Sequence, residues 1–411
     1  MNQPGPQASL PFEASRPVAG SGDHRIQPTP AWQGHQPVRQ LWQNLPPSRH
    51  HALNIILIIV AALVTFVVAL YLTLALGPTA FVTCGLLALI PLGICLLGLR
   101  WVDRWEPEPK GAKWFAFLWG AGVSIALTLV LGPGINALLV TALSTSPDVV
   151  GPVIQAPLVE EFAKGLAVLI LVYSRRSQFD GPVDGIVYAG LVGAGFAFSE
   201  NILYFGSAVM EGGVGPGLAW IFVMRGLLSP FAHVMFTAAT GLVLGWVIMH
   251  KGHSWALPGF IAGLVPAIAG HILWNGGLLL VFDNFFGFYI LLQMPLFAAA
   301  VSGVFLLRRA ERRLTHRRLL DYAYSGWLTE TEVGLLATPD GRRQAVAWAS
   351  RYGARKTMKS FVHTATRLAF IRQRIVLSHH LAENTACERQ LLEEMTVTRS
   401  VLFQQAGAAA R

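Results

Sequence analysis

Long, nearly unbroken apolar segments fill the chain from about residue 50 to residue 307. A helix needs ~20 apolar residues to cross a hydrocarbon core of ~30 Å, and each segment has about this length or more. Apolar and polar positions do not alternate within the segments, which excludes an outer-membrane β-barrel. The pattern predicts an all-α, polytopic bundle of about eight transmembrane helices, at residues 52–76, 80–100, 114–142, 152–173, 183–208, 218–250, 256–282 and 285–307.

Two of these segments contain residues that interrupt helices. The third includes Gly132-Pro133-Gly134, and the sixth includes Pro230. Proline removes a backbone donor and its ring clashes with the preceding turn of a helix. We therefore expect both segments to be interrupted, the sixth into a short piece and a true span.

Polar sequence flanks the apolar region on both sides. Residues 1–48 are rich in Pro, Gln, Gly and Ser, a composition that cannot bury a core and predicts disorder. Residues 309–411 are predicted to be a basic, helical, soluble tail, and Thr329 and Glu332 within it have the spacing of a capping box. The predicted organisation is a disordered segment at 1–48, a transmembrane domain at 49–308 and the tail at 309–411.

The composition agrees with a membrane protein, since 53% of residues are hydrophobic and only 13% are charged, against ~25% charged in soluble domains. An odd number of cysteines argues against a secreted disulfide scaffold. The net charge of +9 belongs to the tail alone, which has 18 basic and 9 acidic residues from Arg308 onward. We interpret the tail as a cytoplasmic anchor facing anionic lipid headgroups, and no nucleic-acid-binding motif accompanies its charge.

Basic residues occur in every second loop, and the intervening loops carry almost none. By the positive-inside rule, the basic loops face the cytoplasm. Both chain termini are therefore predicted to be cytoplasmic. The basic residues used are Arg39, Arg49, Arg100, Arg104, Lys110, Lys113, Arg175, Arg176, Lys251 and the cluster that begins at Arg308.

A few ionisable and amide side chains lie inside the predicted spans, where such groups are costly and are functional candidates. At 1.5 Å per residue, the acids and imidazoles of four consecutive spans lie ~22–27 Å from the predicted cytoplasmic helix ends, in one layer. We expect them to point into one hydrated pocket. They are Glu160, Glu161 and Lys164 on the fourth span, Glu200 on the fifth, His233 on the sixth, and His271 with Asn275 on the seventh.

Two imidazoles and one carboxylate form a common zinc-ligand set that leaves a coordination position open for water. Glu200, His233 and His271 supply such a set, so we predict them as metal ligands, with zinc as the candidate metal. A further carboxylate, Glu160 or Glu161, would take a proton from the water.

Two other polar residues would complete a hydrolytic site. Lys164 would hold the second acid ionised, and Asn275 would donate a hydrogen bond to an oxyanion. Arg225 is interpreted as a boundary or substrate-contacting residue and not as a catalytic one. Together the residues indicate a metal-assisted hydrolase that cuts within or beside the membrane.

Other readings use the same residues. Intramembrane acids and imidazoles also form the relays of proton- or ion-coupled transporters, although the chain shows no convincing symmetry between two halves. A non-catalytic membrane scaffold would use the polar layer to bind partner helices. Glu161 and Lys164 could form a purely structural ion pair.

Four segments resemble motifs of the PrsW family of bacterial intramembrane proteases, over about residues 53–310. Glu160-Glu161-Phe162-Ala163-Lys164 matches an EExxK motif, and Phe196-Ala197-Phe198-Ser199-Glu200 matches an FxxxE motif. His271-Ile272-Leu273-Trp274-Asn275 is similar to the final HxxxN/D segment. The loop at Asp103-Arg104-Trp105-Glu106-Pro107-Glu108-Pro109 is also similar to a family segment. His233 begins the remaining motif, but Thr237 stands where an HxxxD reading requires an acid.

The resemblance implies a membrane-embedded endopeptidase related to the CAAX prenyl-endopeptidase and bacteriocin-immunity superfamily. The motif acids and histidines would build its catalytic centre, either with zinc or as a glutamate-based site, and the sequence leaves both open. It further implies a multi-pass protein of a bacterial plasma membrane. Its substrates would be membrane proteins, for example an anti-sigma factor in regulated proteolysis.

Overall fold

The computed structural model describes residues 50–105, 107–175, 179, 181–280, 285–377 and 381–409. These residues are almost entirely helical and contain no β-strand, which confirms the predicted all-α fold. Described residues up to Leu307 form one compact unit, and those from Arg308 onward form a second. The segment predicted to be disordered, residues 1–48, lies outside the described part of the chain.

The first unit is a helical bundle with short connections. Its helices are α1 (His50–Leu76), α2 (Pro78–Val102), α3 (Lys110–Leu118), α4 (Ile125–Leu143), α5 (Pro147–Val150), α6 (Ala156–Ser174), α7 (Pro182–Gly212), α8 (Pro216–Ile221), α9 (Ala232–Lys251), α10 (Ala256–Leu280), α11 (Phe285–Phe288) and the part of α12 (Met294–Tyr324) up to Leu307, the rest of which belongs to the second unit. Short π-helical segments join or extend several of them, at Trp119–Ser124, Gly151–Gln155, Phe222–Leu228 and Tyr289–Gln293.

Within the described residues, seven helical stretches are long and apolar enough to cross a membrane. The predicted fourth span, 152–173, is helical as well but is not one of the seven, because α6 carries Glu160, Glu161 and Lys164. Those three side chains are buried within the bundle. The protein is therefore a polytopic helical bundle with a charged helix in its interior.

Only one of the two expected interruptions is present. α9 begins at Ala232, directly after a turn that contains Pro230, and the Cys95 thiol donates a hydrogen bond to the Pro230 carbonyl at 3.0 Å. The prediction at Gly132-Pro133-Gly134 was wrong, since α4 continues through Pro133. The irregular turn lies earlier, at Trp119–Ser124, where a side chain from another helix takes a backbone acceptor, a recognised cause of local helix distortion.

The central helix is α7, most of which is buried, and its contact with α9 depends on the absence of a side chain at Gly193. A Cβ atom at Gly193 would lie 2.6 Å from the backbone oxygen of His233, closer than real Cβ contacts occur. Small residues let transmembrane helices approach closely in this way. The glycine therefore sets the distance between α7 and the start of α9.

We expect Gly193→Ala to lower the free energy of unfolding by about 1–3 kcal/mol, because the added methyl group overpacks the contact between α7 and α9. Thermal unfolding of the purified protein in detergent measures the change. Gly212→Ala is the matched control, since no atom lies within 4 Å of a Cβ atom there. Equal stability of the two variants would contradict the close packing.

The second unit is also helical, with α13 (Glu330–Ala337), α14 (Pro339–Arg351), α15 (Arg355–Val376) and α16 (Leu381–Ala409) around its own apolar core. The predicted capping box is present at the start of α13. The Thr329 hydroxyl accepts a hydrogen bond from the Glu332 amide at 3.1 Å, and the Glu332 carboxylate accepts one from the Thr329 amide at 2.8 Å.

Candidate active site

Side chains from α6, α7, α9 and α10 meet in one cluster inside the bundle. His233 is the second residue of α9, directly after the Pro230 turn, and its ring centre is 5.2 Å from that of His271 on α10. Its Nε2 lies 2.6 Å from Oε2 of Glu200 on α7, and its Nδ1 lies 3.9 Å from Oε2 of Glu160 on α6. The structure therefore brings together the four residues that sequence depth places in one layer.

Glu161 has both carboxylate oxygens engaged and is fully buried. Oε1 lies 2.6 Å from Nζ of Lys164 and 3.0 Å from Nδ1 of His271. Oε2 accepts a hydrogen bond from the Thr237 hydroxyl at 3.0 Å. Thr237 stands at the position where an HxxxD motif starting at His233 would have an acid, and it donates a hydrogen bond to Glu161. A carboxylate with both oxygens occupied is poorly placed to take a proton from water. The contacts of Glu161 instead suit it to holding the ring of His271 in one orientation.

Lys164 places its ammonium group at the centre of the cluster, with no exposed surface. Nζ is 2.6 Å from Glu161, 3.5 Å from Glu160 and 3.2 Å from Nδ1 of His233. It also lies 4.2 Å from the centre of the Phe196 ring, a cation–π distance. A single buried cation therefore offsets the charge of two neighbouring acids.

Glu200 is bound by two charged or polar partners at short distance. One Nη atom of Arg225 lies 2.5 Å from its Oε2, the same oxygen that contacts His233. Arg225 also donates to the Asn201 side chain at 3.3 Å and stacks 3.8 Å from the Tyr204 ring centre. The sequence does not pair Arg225 with Glu200. Arg225 lies in the irregular segment before the Pro230 turn, where helical spacing does not predict which side of the chain a residue faces.

Glu160, His233 and His271 are the group in the described residues that could hold a metal ion, since one ligand atom from each lies within 4.8 Å of the other two. All three are buried. Each imidazole also has one nitrogen against a separate carboxylate, Glu161 for His271 and Glu200 for His233. Metal-ligating histidines characteristically have such carboxylate partners, which favours a metal at this donor set. The nitrogen of His233 left to bind it, Nδ1, lies 3.2 Å from Nζ of Lys164, so the ammonium group would have to move aside when a metal binds.

The charge of the cluster also favours a cation. Three carboxylates face two permanent cations, so the cluster carries a formal charge of −1 when the imidazoles are neutral. Glu160 differs from the other acids in having only long charged contacts, the shortest being 3.5 Å to Lys164. A buried carboxylate whose nearest counter-charge is this distant and shared with Glu161 is costly, and a bound cation would lower that cost.

Asn275 lies one helical turn beyond His271 on α10. Its side-chain amide donates a hydrogen bond to the backbone oxygen of Pro152 at 2.8 Å, which ties α10 to the segment before α6. A side-chain amide has two N–H groups, so this contact leaves one for another acceptor. The oxyanion role of Asn275 stays a prediction.

Two cavities border the cluster. A cavity of about 260 Å³ has both Glu160 and Glu200 in its wall. A smaller cavity of about 40 Å³ lies against the imidazoles and the Arg225 side chain. The smaller one is lined by Ala197, Asn201, Arg225, Ser229, Pro230, Ala232, His233, Phe236, His271, Trp274 and Asn275. The two acids and the two imidazoles therefore all border space that water or substrate could enter.

A second polar cluster lies at the other end of α7 and involves the loop after α2. Asp103 accepts hydrogen bonds from the Glu108 amide at 2.9 Å and from Lys113 at 2.6 Å, and the Tyr188 hydroxyl donates to Glu108. Burial raises the pKa of the Asp103 carboxyl above its ordinary value, and the hydrogen bond from Lys113 opposes that rise. Tyr188 precedes Glu200 by ~18 Å along the helix, so this cluster is separate from the candidate site.

The part of the chain that contains the cluster is similar to known proteins of one family. The model of a family described as "PrsW family intramembrane metalloprotease" matches residues 108–300, a range that contains the whole cluster. A protein named Protease PrsW from Geobacillus kaustophilus is 31% identical over 180 residues, which are 42% of this chain and 73% of the relative.

Two further relatives with the name Protease PrsW match shorter parts. The protein from Clostridioides difficile is 31% identical over 164 residues, 38% of this chain and 62% of the relative. The protein from Bacillus subtilis is 38% identical over 86 residues, 21% of this chain and 35% of the relative. The chain thus spans less than two thirds of the length of these two relatives. No solved structure matches the chain.

Proposed function

The chain belongs to the PrsW family of intramembrane metalloproteases, and we propose that it cleaves membrane proteins with a zinc ion held by Glu160, His233 and His271. The observation that carries the proposal is the mutual approach of these three ligand atoms to within 4.8 Å in a buried cluster. The transporter and scaffold readings are not favoured, because the family and the named relatives are proteases.

This ligand set differs from the one that spacing alone predicts, in which Glu200 is the ligand and Glu160 or Glu161 is the base. Glu200 has short contacts to Arg225 and His233 and is satisfied without a metal. Glu160 has no charged contact shorter than 3.5 Å. Since a buried anion needs a counter-charge, Glu160 gains more from a metal than Glu200 does.

A zinc ion in this set would supply Lewis acidity, which polarises a peptide carbonyl and makes water a stronger acid. Glu200 lies in the wall of the larger cavity, and its contacts with Arg225 and His233 are both on Oε2, so Oε1 accepts the proton that water releases as it attacks the carbonyl carbon. It then gives the proton to the nitrogen of the departing amine as the carbon–nitrogen bond breaks. Arg225 holds Glu200 at the cavity, and Glu161 holds the ring of His271 in a fixed orientation.

The test compares Glu160→Gln with Glu200→Gln in the purified full-length protein. Both variants should cut synthetic single-span peptides at least ~100-fold more slowly, Glu200→Gln because it loses the proton-transfer group and Glu160→Gln because it loses a metal ligand. Zinc content, measured by mass spectrometry of the protein, separates the roles. We expect Glu160→Gln to lose zinc and Glu200→Gln to keep it.

Other outcomes have distinct meanings. Loss of zinc in Glu200→Gln alone would favour the ligand set predicted from spacing. Chelation should abolish cleavage by the unmodified chain, and added zinc should restore it. Full cleavage by protein that holds no metal would overturn the metal assignment and favour a glutamate-based site.

We also propose a location in the bacterial plasma membrane with both termini in the cytoplasm. If α6 crosses the membrane together with the seven apolar stretches, the number of crossings is even and the termini share a side. The basic loops support the cytoplasm as that side. Segments of membrane proteins are the proposed substrates, and an anti-sigma factor is one candidate that the family resemblance implies.

A further inference from the structure

The larger cavity, of about 260 Å³, starts at the candidate site and opens at the surface of the bundle. Its inner part is formed by Glu160, Phe196 and Glu200, of which Phe196 is fully buried. Its outer part is formed by residues of α4 and α7 with exposed side chains, Leu129 and Tyr204 among them. Thr128 of α4 and Leu203 of α7 also line it.

One stripe of α7 forms a continuous wall from the site to the surface. Phe196, Glu200, Tyr204 and Ser207 follow one another at spacings of three and four residues, so they share a helix face. The stripe from Glu200 to Ser207 is ~10 Å long. When the cleaved bond lies at the acids, the side chain beside it can therefore extend along this wall towards Ser207.

The position of Tyr204 in this wall is fixed by a charged contact. Its ring stacks 3.8 Å from the guanidinium of Arg225, which is also paired with Glu200. One arginine therefore holds both the wall of the cavity and an acid at its inner end. A wall held in this way keeps its shape when a substrate enters, which is what discrimination between side chains requires.

Size and chemistry define what the cavity can take. A cavity of ~150 Å³ is enough to hold benzene, and this one is larger. Ile125, Leu129, Phe196 and Leu203 give it apolar walls. The acids at its inner end are offset, Glu200 by Arg225 and Glu160 by the proposed metal, so they do not select a basic side chain.

We propose that this cavity is the specificity pocket of the protease and takes a large apolar side chain, of leucine or phenylalanine size, from the substrate residue beside the cleaved bond. The inference rests on the proposed function of the same site. Its outer end lies between α4 and α7 beside the exposed side chains of Leu129 and Tyr204, a surface that a membrane-spanning substrate could approach.

The test places a larger side chain in the pocket and measures which substrate residues are preferred beside the cleaved bond. Purified full-length protein in lipid vesicles is incubated with synthetic single-span peptides randomised at their central positions, and mass spectrometry locates the cuts. Leucine and phenylalanine should be enriched beside the cuts about tenfold or more over alanine and lysine, a ratio typical of apolar pockets. Thr128→Phe should remove this enrichment and leave cuts beside alanine. Val130→Phe is the matched control, because Val130 lies on α4 outside the pocket and is exposed.

A second variant keeps the proposal testable if Thr128→Phe does not fold. Leu129→Ala widens the entrance and should extend the preference to tryptophan. Unchanged preference in both folded pocket variants, or enrichment of lysine and arginine beside the cuts, would overturn the pocket assignment. No cleavage by the unmodified chain, despite bound zinc, would instead contradict the proposed function on which the pocket depends.

Discussion

Cleavage by the His271→Ala variant will fall more than ~100-fold below that of the unmodified chain, since even the loss of a partner of a metal ligand costs ~10–100-fold. His271 is one of the three groups that could hold the metal, and its Nδ1 lies 3.0 Å from Glu161. Its ring stacks on Phe236 with centres 4.8 Å apart, so alanine also leaves space in the cluster. Cleavage of single-span peptides in lipid vesicles and zinc content measure the two losses.

His250→Ala is the matched control for this prediction. His250 lies at the exposed end of α9, where its ring contacts the backbone oxygen and the ring of Trp246 in the same helix. This variant should keep both zinc and cleavage. A folded His271→Ala protein that cuts peptides at the normal rate would show that the active site lies elsewhere in the chain.

The convergence of the site could be predicted from the sequence because it depends on few quantities. Helix rise fixes the depth of each residue along its span, and ionisable residues inside spans are rare enough to be recognised. Errors of a few residues at helix ends shift that depth by only a few ångströms. Helix rise alone therefore places Glu160, Glu200, His233 and His271 in one layer.

The contacts between helices could not be predicted in the same way. Arg225 reaches Glu200 from an irregular segment, where no helical period indicates which side a residue faces. Thr237 on α9 donates a hydrogen bond to Glu161 on α6, and nothing in the sequence of either helix specifies this pair. Spacing fixes position along a span but not rotation about it, so the choice of Glu160 over Glu200 as the proposed ligand required the structure.

The helix interruptions could also be predicted only in part from the sequence. Pro230 follows an irregular segment, and a thiol from α2 satisfies its carbonyl, so the break is supported by a neighbour. Pro133 stands inside a continuous helix, as prolines in transmembrane helices can. The same residue type thus stands at a break in one span and within an unbroken helix in the other, which the sequence of the span alone does not decide.

Lys164→Met will lower the free energy of unfolding by about 3–5 kcal/mol, the usual cost of removing one partner of a buried ion pair. The ammonium group is fully buried and lies 2.6 Å from Glu161 and 3.5 Å from Glu160, so its loss removes the close charged partner of Glu161 and a more distant counter-charge of Glu160. Unfolding of the purified protein by denaturant in detergent measures the change. Lys251→Met, at the exposed end of α9, should change stability by no more than ~0.5 kcal/mol.

Adding Glu161→Gln to Lys164→Met separates the structural role of the ion pair from its role in the site. Replacing both members of a buried pair with neutral groups is often nearly neutral for stability, so the double variant should regain most of the loss. Cleavage should stay low, because a glutamine cannot supply the anionic partner of His271 Nδ1 that now lies 3.0 Å away. Recovery of both stability and cleavage would mean that the pair serves only to hold the helices together. Failure to recover stability would mean that Lys164 stabilises the bundle mainly through Glu160 and Phe196.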